Sequence, residues 1–378
     1  MTSDPHHDHL LSLVPSSGEQ PDWAAIEALW PERFAAMSAC MQDPKHHGEG
    51  DVLTHTRMVV GELVSDPYWQ ALPSARREGL FWSAVLHDIG KPATTRKEDG
   101  RLTSRGHSRV GASIARELLW AANAPFAWRE DICGLITAHQ LPFWLIEREN
   151  AERMAIETSW ICNSADLIAH ARADARGRIC QDLPDLLERV ELAGVLFEEQ
   201  RCHGQRREFA NDDSRVVWAH RDDRDPDYAA HEAFSCEVTM MSGLPGSGKD
   251  TWLARHAPGL PVVSLDDIRA EMGVDPAGNQ GQVIQEARER ARVYLRAGQD
   301  FAWNATNITR NMRGPLLSLF RDYGARTRIV YVEAERGKLG TQNRNRDAAV
   351  PDKIIERLIG KLEPPQQLEA HEVVYATP

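Results

Sequence analysis

Six side chains in the first half of the chain share one chemistry: His55, His87, Asp88, His107, His139 and Asp174. From His55 through His87, His107 and His139 to Asp174, the steps are 32, 20, 32 and 35 residues. Imidazole and carboxylate suit divalent transition metals such as zinc, iron, manganese or cobalt. Two such ions can share a carboxylate, clamp a phosphate and lower the pKa of a bound water. The densest signal is Leu86-His87-Asp88-Ile89-Gly90-Lys91-Pro92, where a His-Asp doublet ends an apolar helix and Gly90 and Pro92 stop it. Each of the six sits at or near a predicted helix end, where a bundle can aim several side chains at one point. Asp166 competes with Asp174 for the last place; the Arg176-Gly177-Arg178 that follows favours Asp174. His170 is four residues from each, on the same helix side, and is a candidate to support the ligands. His6, His7, His9, His46 and His47 lie in polar, glycine-flanked segments and read as solvated tail and loop.

A second chemistry lies further along. Gly243-Leu244-Pro245-Gly246-Ser247-Gly248-Lys249-Asp250-Thr251 follows the apolar run Val238–Met241 and opens a helix, the setting a phosphate-binding loop requires. Its glycines let backbone N–H groups close around phosphates, and the helix N-terminus adds a favourable dipole. Gly243, Gly246, Ser247, Gly248 and Lys249 are the expected cradle, with Thr251 placed for an inner phosphate. Asp250 stands where a hydroxyl residue normally binds magnesium, and a carboxylate is a good hard ligand for that ion. The next strand runs into Ser264-Leu265-Asp266-Asp267-Ile268-Arg269. An Asp at the C-terminal edge of a parallel sheet faces the site and can accept a proton from an attacking hydroxyl. Asp267 reads as a helix cap. Thr306 and Asn307 follow another strand at the same edge, and Gln342 to Arg346, before Val350-Pro351, suits an Arg-bearing lid over a triphosphate.

The elements that must position these residues change character midway. Met1 to Gln20 is a polar tail, and residues 21–199 read as helices with 3.6-residue periodicity: Pro21–Met41, Leu53–Val64, Ser74–His87, Ser108–Asn123, Arg129–His139, Ala155–Ala175 and Leu183–Glu199. Residues 200–233 form a charged connector, with one short strand expected at Val216–Trp218. From residue 234 to 378, short β-type runs at Val238–Met241, Pro261–Ser264, Asp300–Asn304, Thr327–Val332 and Val373–Tyr375 alternate with helical patterns, which predicts a parallel sheet covered by helices. The expected fold class is therefore multidomain: an all-α domain followed by an α/β domain.

Composition fits this. The 378 residues are 42% hydrophobic and 26% charged, an ordinary globular balance. The net charge of −12 is uneven: from Phe234 onward 19 Lys+Arg face 18 Asp+Glu, whereas the part before carries −13. The first part is thus no basic nucleic-acid binder, while a local Arg-rich groove is compatible with the chain, especially in the second part. No apolar run reaches the ~18 residues of a membrane span, and the polar start shows no signal peptide. Six Cys without a C-x-x-C pair suggest a reducing, cytoplasmic setting.

The residues from Asp51 to Cys180 resemble the HD phosphohydrolase superfamily, named for the doublet seen here as His87-Asp88. The resemblance implies that His55, His87, Asp88 and Asp174 hold one metal. His107 and His139 would add a second, bridged by Asp88, while Lys91 and Arg178 turn cations toward the scissile phosphate. Val238 to about Leu362 resembles the phage-type 5′-hydroxyl polynucleotide kinases. That resemblance implies Asp266 as general base, Arg269 with Thr306 and Asn307 on the acceptor, and Arg346, with Arg344 second, as the lid Arg. Ala305 departs from the acidic residue often found before the Thr-Asn pair. In this order the two parts resemble the bacterial HD-Pnk end-healing enzymes, which remove 2′,3′-cyclic phosphate or 2′-phosphate from RNA ends and phosphorylate 5′-hydroxyl ends. The resemblance implies ATP or another NTP with Mg²⁺, and one or two transition-metal ions. It also implies RNA or DNA ends as substrate and a ligase acting next, with no membrane; a homodimer is compatible with it. A nucleotide or second-messenger hydrolase fused to a small-molecule kinase is the alternative, favoured by the acidic first part. A non-catalytic sensor on the same folds fits less well with two intact ligand sets.

Overall fold

The computed structural model of the chain describes residues 5–275, 278–345 and 349–378. It divides into two compact units after Glu208. Helices dominate the first. Val52–Ser65, Ser74–Leu86, His107–Ala121, Phe126–Ala138, Ser164–Arg176 and Leu183–Glu199 surround an apolar core that includes Leu63, Trp69, Phe81, Trp82, Ile136 and Phe197. Polar caps set the starts of the two helices that matter most below. Asp51 accepts from the Thr54 amide at 2.9 Å, and Asn163 accepts from the amides of Ala165 and Asp166.

Several expectations are corrected here. The single helix expected over Pro21–Met41 is two, Trp23–Leu29 and Pro31–Ser38. Pro31 disfavours helical geometry at Trp30, which is non-helical at φ −141°, and itself opens the second helix. The helix expected over Ala155–Ala175 is divided into Ala151–Ser159 and Ser164–Arg176, because Asn163 caps a new start. An antiparallel hairpin, β1 (Arg96–Glu98) and β2 (Arg101–Thr103), interrupts the helices. Its turn, Asp99-Gly100, has positive φ at both residues, the geometry that matches strand twist. The tail contains a helix, Pro5–Ser12, whose buried Leu10 accepts from the Trp82 indole at 3.1 Å.

The expected connector is shared between the units. Cys202 is buried in the first core, and its carbonyl accepts from Ser164 at 2.6 Å. Val216–Trp218, expected as strand, lies inside the helix Asp212–His220 of the second unit, started by Asn211 accepting from Ser214 N. Arg215 on that helix donates to the carbonyl of His371 at 2.8 Å.

The second unit is built on five parallel strands: β3 (Cys236–Ser242), β4 (Val262–Ser264), β5 (Phe301–Asn304), β6 (Ala325–Val332) and β7 (Glu372–Ala376). Their order is β4-β5-β3-β6-β7. Alternate residues serve opposite faces. Val238, Met240, Phe301, Trp303 and Ile329 pack in one apolar cluster, and Met241, Ala302 and Val330 pack with Leu253 in another. A parallel sheet covered on both faces leaves its strand ends for function. β3 is central, so the loop after it sits between two flanking strand ends. Among the described residues, no helix is long and apolar enough to cross a membrane, and all six Cys are unpaired.

Candidate metal centre and nucleotide site

In the helical unit the candidate ligands come from helix ends. His87 and His139 are the C-terminal caps of Ser74–Leu86 and Phe126–Ala138. Carbonyls in the last turn of a helix lack helical donors. Each imidazole supplies one: His87 Nδ1 donates to Ala84 O and His139 Nδ1 to Ile136 O, both at 2.7 Å. His107, first in its helix, does the same to Ser104 O at 2.7 Å. A carbonyl only accepts, so each Nδ1 carries the proton and each Nε2 keeps its lone pair.

Those lone pairs converge on Asp88. His87 Nε2 is 3.2 Å from Asp88 Oδ2, and His107 and His139 Nε2 are 3.3 and 3.8 Å from Oδ1. The Nε2 atoms of His107 and His139 face each other at 3.3 Å. On the other side His55 Nε2 lies 3.1 Å from Asp174 Oδ1 and 3.9 Å from Asp88 Oδ2. The close approach is built into the fold at Gly90, where a Cβ would stand 2.2 Å from the His107 carbonyl and 2.5 Å from the Gly111 amide.

This arrangement fits divalent metal. His55, His87 and Asp88 form one donor group and Asp88, His107 and His139 another, all fully buried and sharing one carboxylate. His87 Nε2 is buried without a hydrogen-bond partner among the described residues. Donors held about 2.1 Å from an ion stand about 3.0–3.5 Å apart, close to the spacings here. Burial holds the His139 imidazole well below its usual value, which keeps it neutral. Burial pulls His55 down, but hydrogen bonds to Asp174 and Glu49 outweigh it and raise the group. Asp88 is desolvated, yet the Lys91 ammonium beside it holds it well below the usual carboxylate range.

The cations lie close by. Lys91 Nζ is 2.6 Å from Asp88 Oδ2 and donates to Gln42 Oε1 at 2.6 Å. Arg178 forks onto Asp174 at 3.1 and 2.8 Å and rests on the Phe143 ring. Asp166 is elsewhere engaged, with Arg76 at 2.7 Å and Tyr68 Oη at 2.8 Å. His170 is buried edge-on to His87 and stacked on His139, with burial pushing it down to about 3.

The reading of His47 as solvated loop is corrected. Its Nδ1 is 2.8 Å from Glu49 Oε1, and its ring meets His55 edge-on at 4.8 Å. Sequence reasoning also missed Glu49 and Gln42. The one available signal was His47-Gly48-Glu49-Gly50, two titratable residues alternating with glycines just before a capped helix.

In the α/β unit the loop after β3 has the expected shape. Gly243, Gly246 and Gly248 have φ of 148°, 81° and 99°. A Cβ on Gly243 would stand 2.3 Å from the Val332 carbonyl. Lys249 Nζ lies on the carbonyls of Gly243 and Leu244, both at 2.9 Å, and Ser247 Oγ is buried without a hydrogen-bond partner among the described residues. Asp250 accepts from Asn304 Nδ2, at the end of β5, at 2.6 Å, while Thr251 is exposed. Asp266 and Arg269 pair at 2.6 Å in the helix Leu265–Glu271, and Arg269 Nε donates to Gln280 Oε1 at 2.8 Å. Ser264, not Asp267, caps that helix, accepting from the Asp267 amide.

Asn307 is a second correction. Its amide donates to Met241 O at 2.8 Å, and its carbonyl accepts from Ser242 Oγ and the buried Arg313. It joins strand ends together and is not presented to an acceptor. The Thr306 carbonyl accepts from Gly243 N at 2.9 Å. Arg344 pairs with Asp352 at 3.4 Å and is exposed; Arg346 lies outside the described residues.

Comparison with known proteins agrees with this division. The HD domain family matches residues 52–171 and an AAA domain family matches residues 238–365. The chain is similar to the A-adding tRNA nucleotidyltransferase of Deinococcus radiodurans, 39% identical over 67 residues, covering 17% of this chain and 15% of that protein. It is similar to the multifunctional CCA protein of Halorhodospira halophila, 34% identical over 113 residues, covering 30% and 24%. It is also similar to the CC-adding tRNA nucleotidyltransferase of Thermus thermophilus, 42% identical over 59 residues, covering 15% and 14%. The chain spans no more than about a quarter of the length of these relatives. It couples a helical HD domain to an α/β domain with five parallel strands and a P-loop.

Proposed function

We propose that this chain heals broken nucleic-acid ends, as the bacterial HD-Pnk enzymes that it resembles do. On this reading the HD domain removes a 2′,3′-cyclic phosphate or 2′-phosphate from an RNA end. The P-loop domain transfers a phosphoryl group from ATP or another NTP to a 5′-hydroxyl of RNA or DNA. The observation that carries the reading is the presence in one chain of two residue groups suited to phosphate chemistry: the donor cluster on Asp88 and the P-loop with the Asp266–Arg269 pair. Breakage that leaves a cyclic phosphate also leaves a 5′-hydroxyl, so both sites would serve one event, and a nucleic-acid ligase would act next. The similarity to proteins named for tRNA chemistry supports an RNA substrate.

In the HD domain, His55, His87, Asp88 and Asp174 would hold one divalent ion and Asp88, His107 and His139 a second. When bound, such ions supply charge stabilisation at phosphorus and a water of lowered pKa. Lys91 and Arg178 neutralise charge on the phosphate, and the zero exposure of His55, His87 and His139 keeps bulk water off the ligands. In the P-loop domain, phosphate oxygens replace the Gly243 and Leu244 carbonyls as partners of Lys249. Asp250, fixed by Asn304, would bind the magnesium of the nucleotide, which offsets phosphate charge. Asp266 accepts the 5′-hydroxyl proton, and Arg269, steadied by Gln280, binds the acceptor's phosphate. Arg346, with Arg344 second, closes over the triphosphate.

The charge of −13 before Phe234 favours one competing reading, a nucleotide or second-messenger hydrolase joined to a small-molecule kinase. An RNA oligonucleotide with 5′-hydroxyl and 2′,3′-cyclic phosphate ends, incubated with ATP, Mg²⁺ and Mn²⁺, separates the two. End healing predicts gain of a 5′-phosphate and loss of the cyclic phosphate. Unchanged ends, with turnover of mononucleotides instead, would select the competitor.

A further inference from the structure

The metal ligands of the HD domain differ in what holds them. His87, His107 and His139 are each oriented by a backbone carbonyl. His55 is also oriented by a side chain: its Nδ1 lies 2.9 Å from Glu49 Oε1, with Gly177 O at 3.2 Å. The same Oε1 is 2.8 Å from His47 Nδ1, and Glu49 Oε2 accepts from the Ile179 amide at 2.9 Å. The Glu49 side chain is 1% exposed. Its loop is tied down again where the Gly48 amide donates to Ile179 O at 2.9 Å. A Cβ on Gly48 would stand 2.9 Å from that carbonyl, so the contact needs glycine.

We infer that Glu49 is a positioning residue of the metal centre, one carboxylate that fixes His55 and His47 together and ties their loop to the segment carrying Arg178. An ionised carboxylate only accepts, so both Nδ1 atoms that meet it must carry protons. His55 Nε2 meets the Asp174 carboxylate at 3.1 Å, on the side of His87 and Asp88, so with Nδ1–H held by Glu49 it is Nε2 that would give up its proton and turn its lone pair to an ion there. A carboxylate on the far nitrogen of a ligand imidazole also raises its basicity and fixes its plane, and removing such a partner typically costs 10–100-fold in metal affinity. His47, Glu49 and His55 are themselves close enough to hold an ion. Such an ion would have to displace the Nδ1 proton of His55 that Gly177 O also holds, so the three are read as a hydrogen-bonded triad.

This inference rests on the metal-binding part of the proposed function and not on its substrate. It is tested on the full chain with cobalt(II) alone, by calorimetric titration and by the ratio of bound cobalt to protein. Glu49→Ala should weaken cobalt binding about 10–100-fold. Glu49→Gln, which keeps an acceptor but not the charge, should weaken it less, and serves if the alanine variant fails to fold. His47→Phe should leave cobalt affinity and stoichiometry unchanged. Nitrogen NMR of the imidazoles should show His55 protonated at Nδ1 in the wild type and mixed in Glu49→Ala. Wild-type cobalt affinity and His55 tautomer in both Glu49 variants would overturn the inference. So would loss of one bound ion in His47→Phe, which would make the triad a third metal site. His87→Ala is the control: if it binds cobalt as the wild type does, the metal centre itself is refuted, and the inference with it.

Discussion

Asp266 and Arg269 meet at 2.6 Å although the Asp266 side chain is 63% exposed. Exposed pairs contribute little to stability, so what matters is where they stand, at the edge where the P-loop opens. Asp266→Asn keeps size and hydrogen bonding but loses basicity. Positioned general bases contribute about 10²–10⁴-fold, so kinase turnover should fall by that factor with ATP affinity intact. Arg269→Lys keeps charge but loses the planar fork that reaches Gln280, and should also be impaired. Asp267→Asn should be mild, because Ser264 does the capping. Collapse in Asp267→Asn with near-normal Asp266→Asn would move the base by one residue. The clustering of the candidate ligand histidines was legible in sequence because helix ends are legible and their residue types are few. Glu49 and His47 were not, since a loop has no period and their partners His55 and Ile179 become neighbours only on folding. Asn307 was misread because its sequence context matches an acceptor contact, while its amide is spent on Met241 O.

The helix carrying His107 meets the His87-Asp88 turn at Gly90 with no room for a methyl group. Gly90→Ala should therefore destabilise the HD domain by about 2–4 kcal/mol and separate His107 from Asp88. Thermal unfolding and bound metal measure both, and wild-type values in both would remove Gly90 from the account. In the other domain the helix Asp212–His220 carries a titrating group. Burial, then the nearby Arg321, pushes His220 down to about 4. The unfolded chain, near 6.5, binds the proton first, so stability should fall as pH drops from about 6.5 to about 4. His220→Gln should flatten that slope in thermal unfolding across the window; an unchanged slope would contradict it. Sequence periodicity found the long helices and all five strands of the sheet, because burial on one face or both leaves a pattern. It missed β1 and β2, which are three residues each and largely exposed, so only the Asp99-Gly100 turn marked them. It misread Val216–Trp218, where an Asn211 cap outweighs the β-preference of three residues.

At the scale of the whole chain the central claim is that two chemistries reside in two domains, the HD domain at 52–171 and the P-loop domain at 238–365. Their metal demands should differ accordingly: the histidine-rich centre should favour transition metals, and the oxygen donors near the P-loop should work with magnesium. Domain order and separate cores were plain from the change in sequence rhythm, whereas the boundary was not. The charged stretch that looked like a linker contributes Cys202 to one core and Arg215 to the other unit. The most direct measurement follows both end groups of one RNA strand, bearing 5′-hydroxyl and 2′,3′-cyclic phosphate, during incubation with wild type, Asp88→Ala and Lys249→Ala. The account predicts that the wild type changes both ends, Asp88→Ala phosphorylates the 5′ end but leaves the cyclic phosphate, and Lys249→Ala does the reverse. Loss of both activities in either folded variant, or unchanged ends with the wild type, would contradict it.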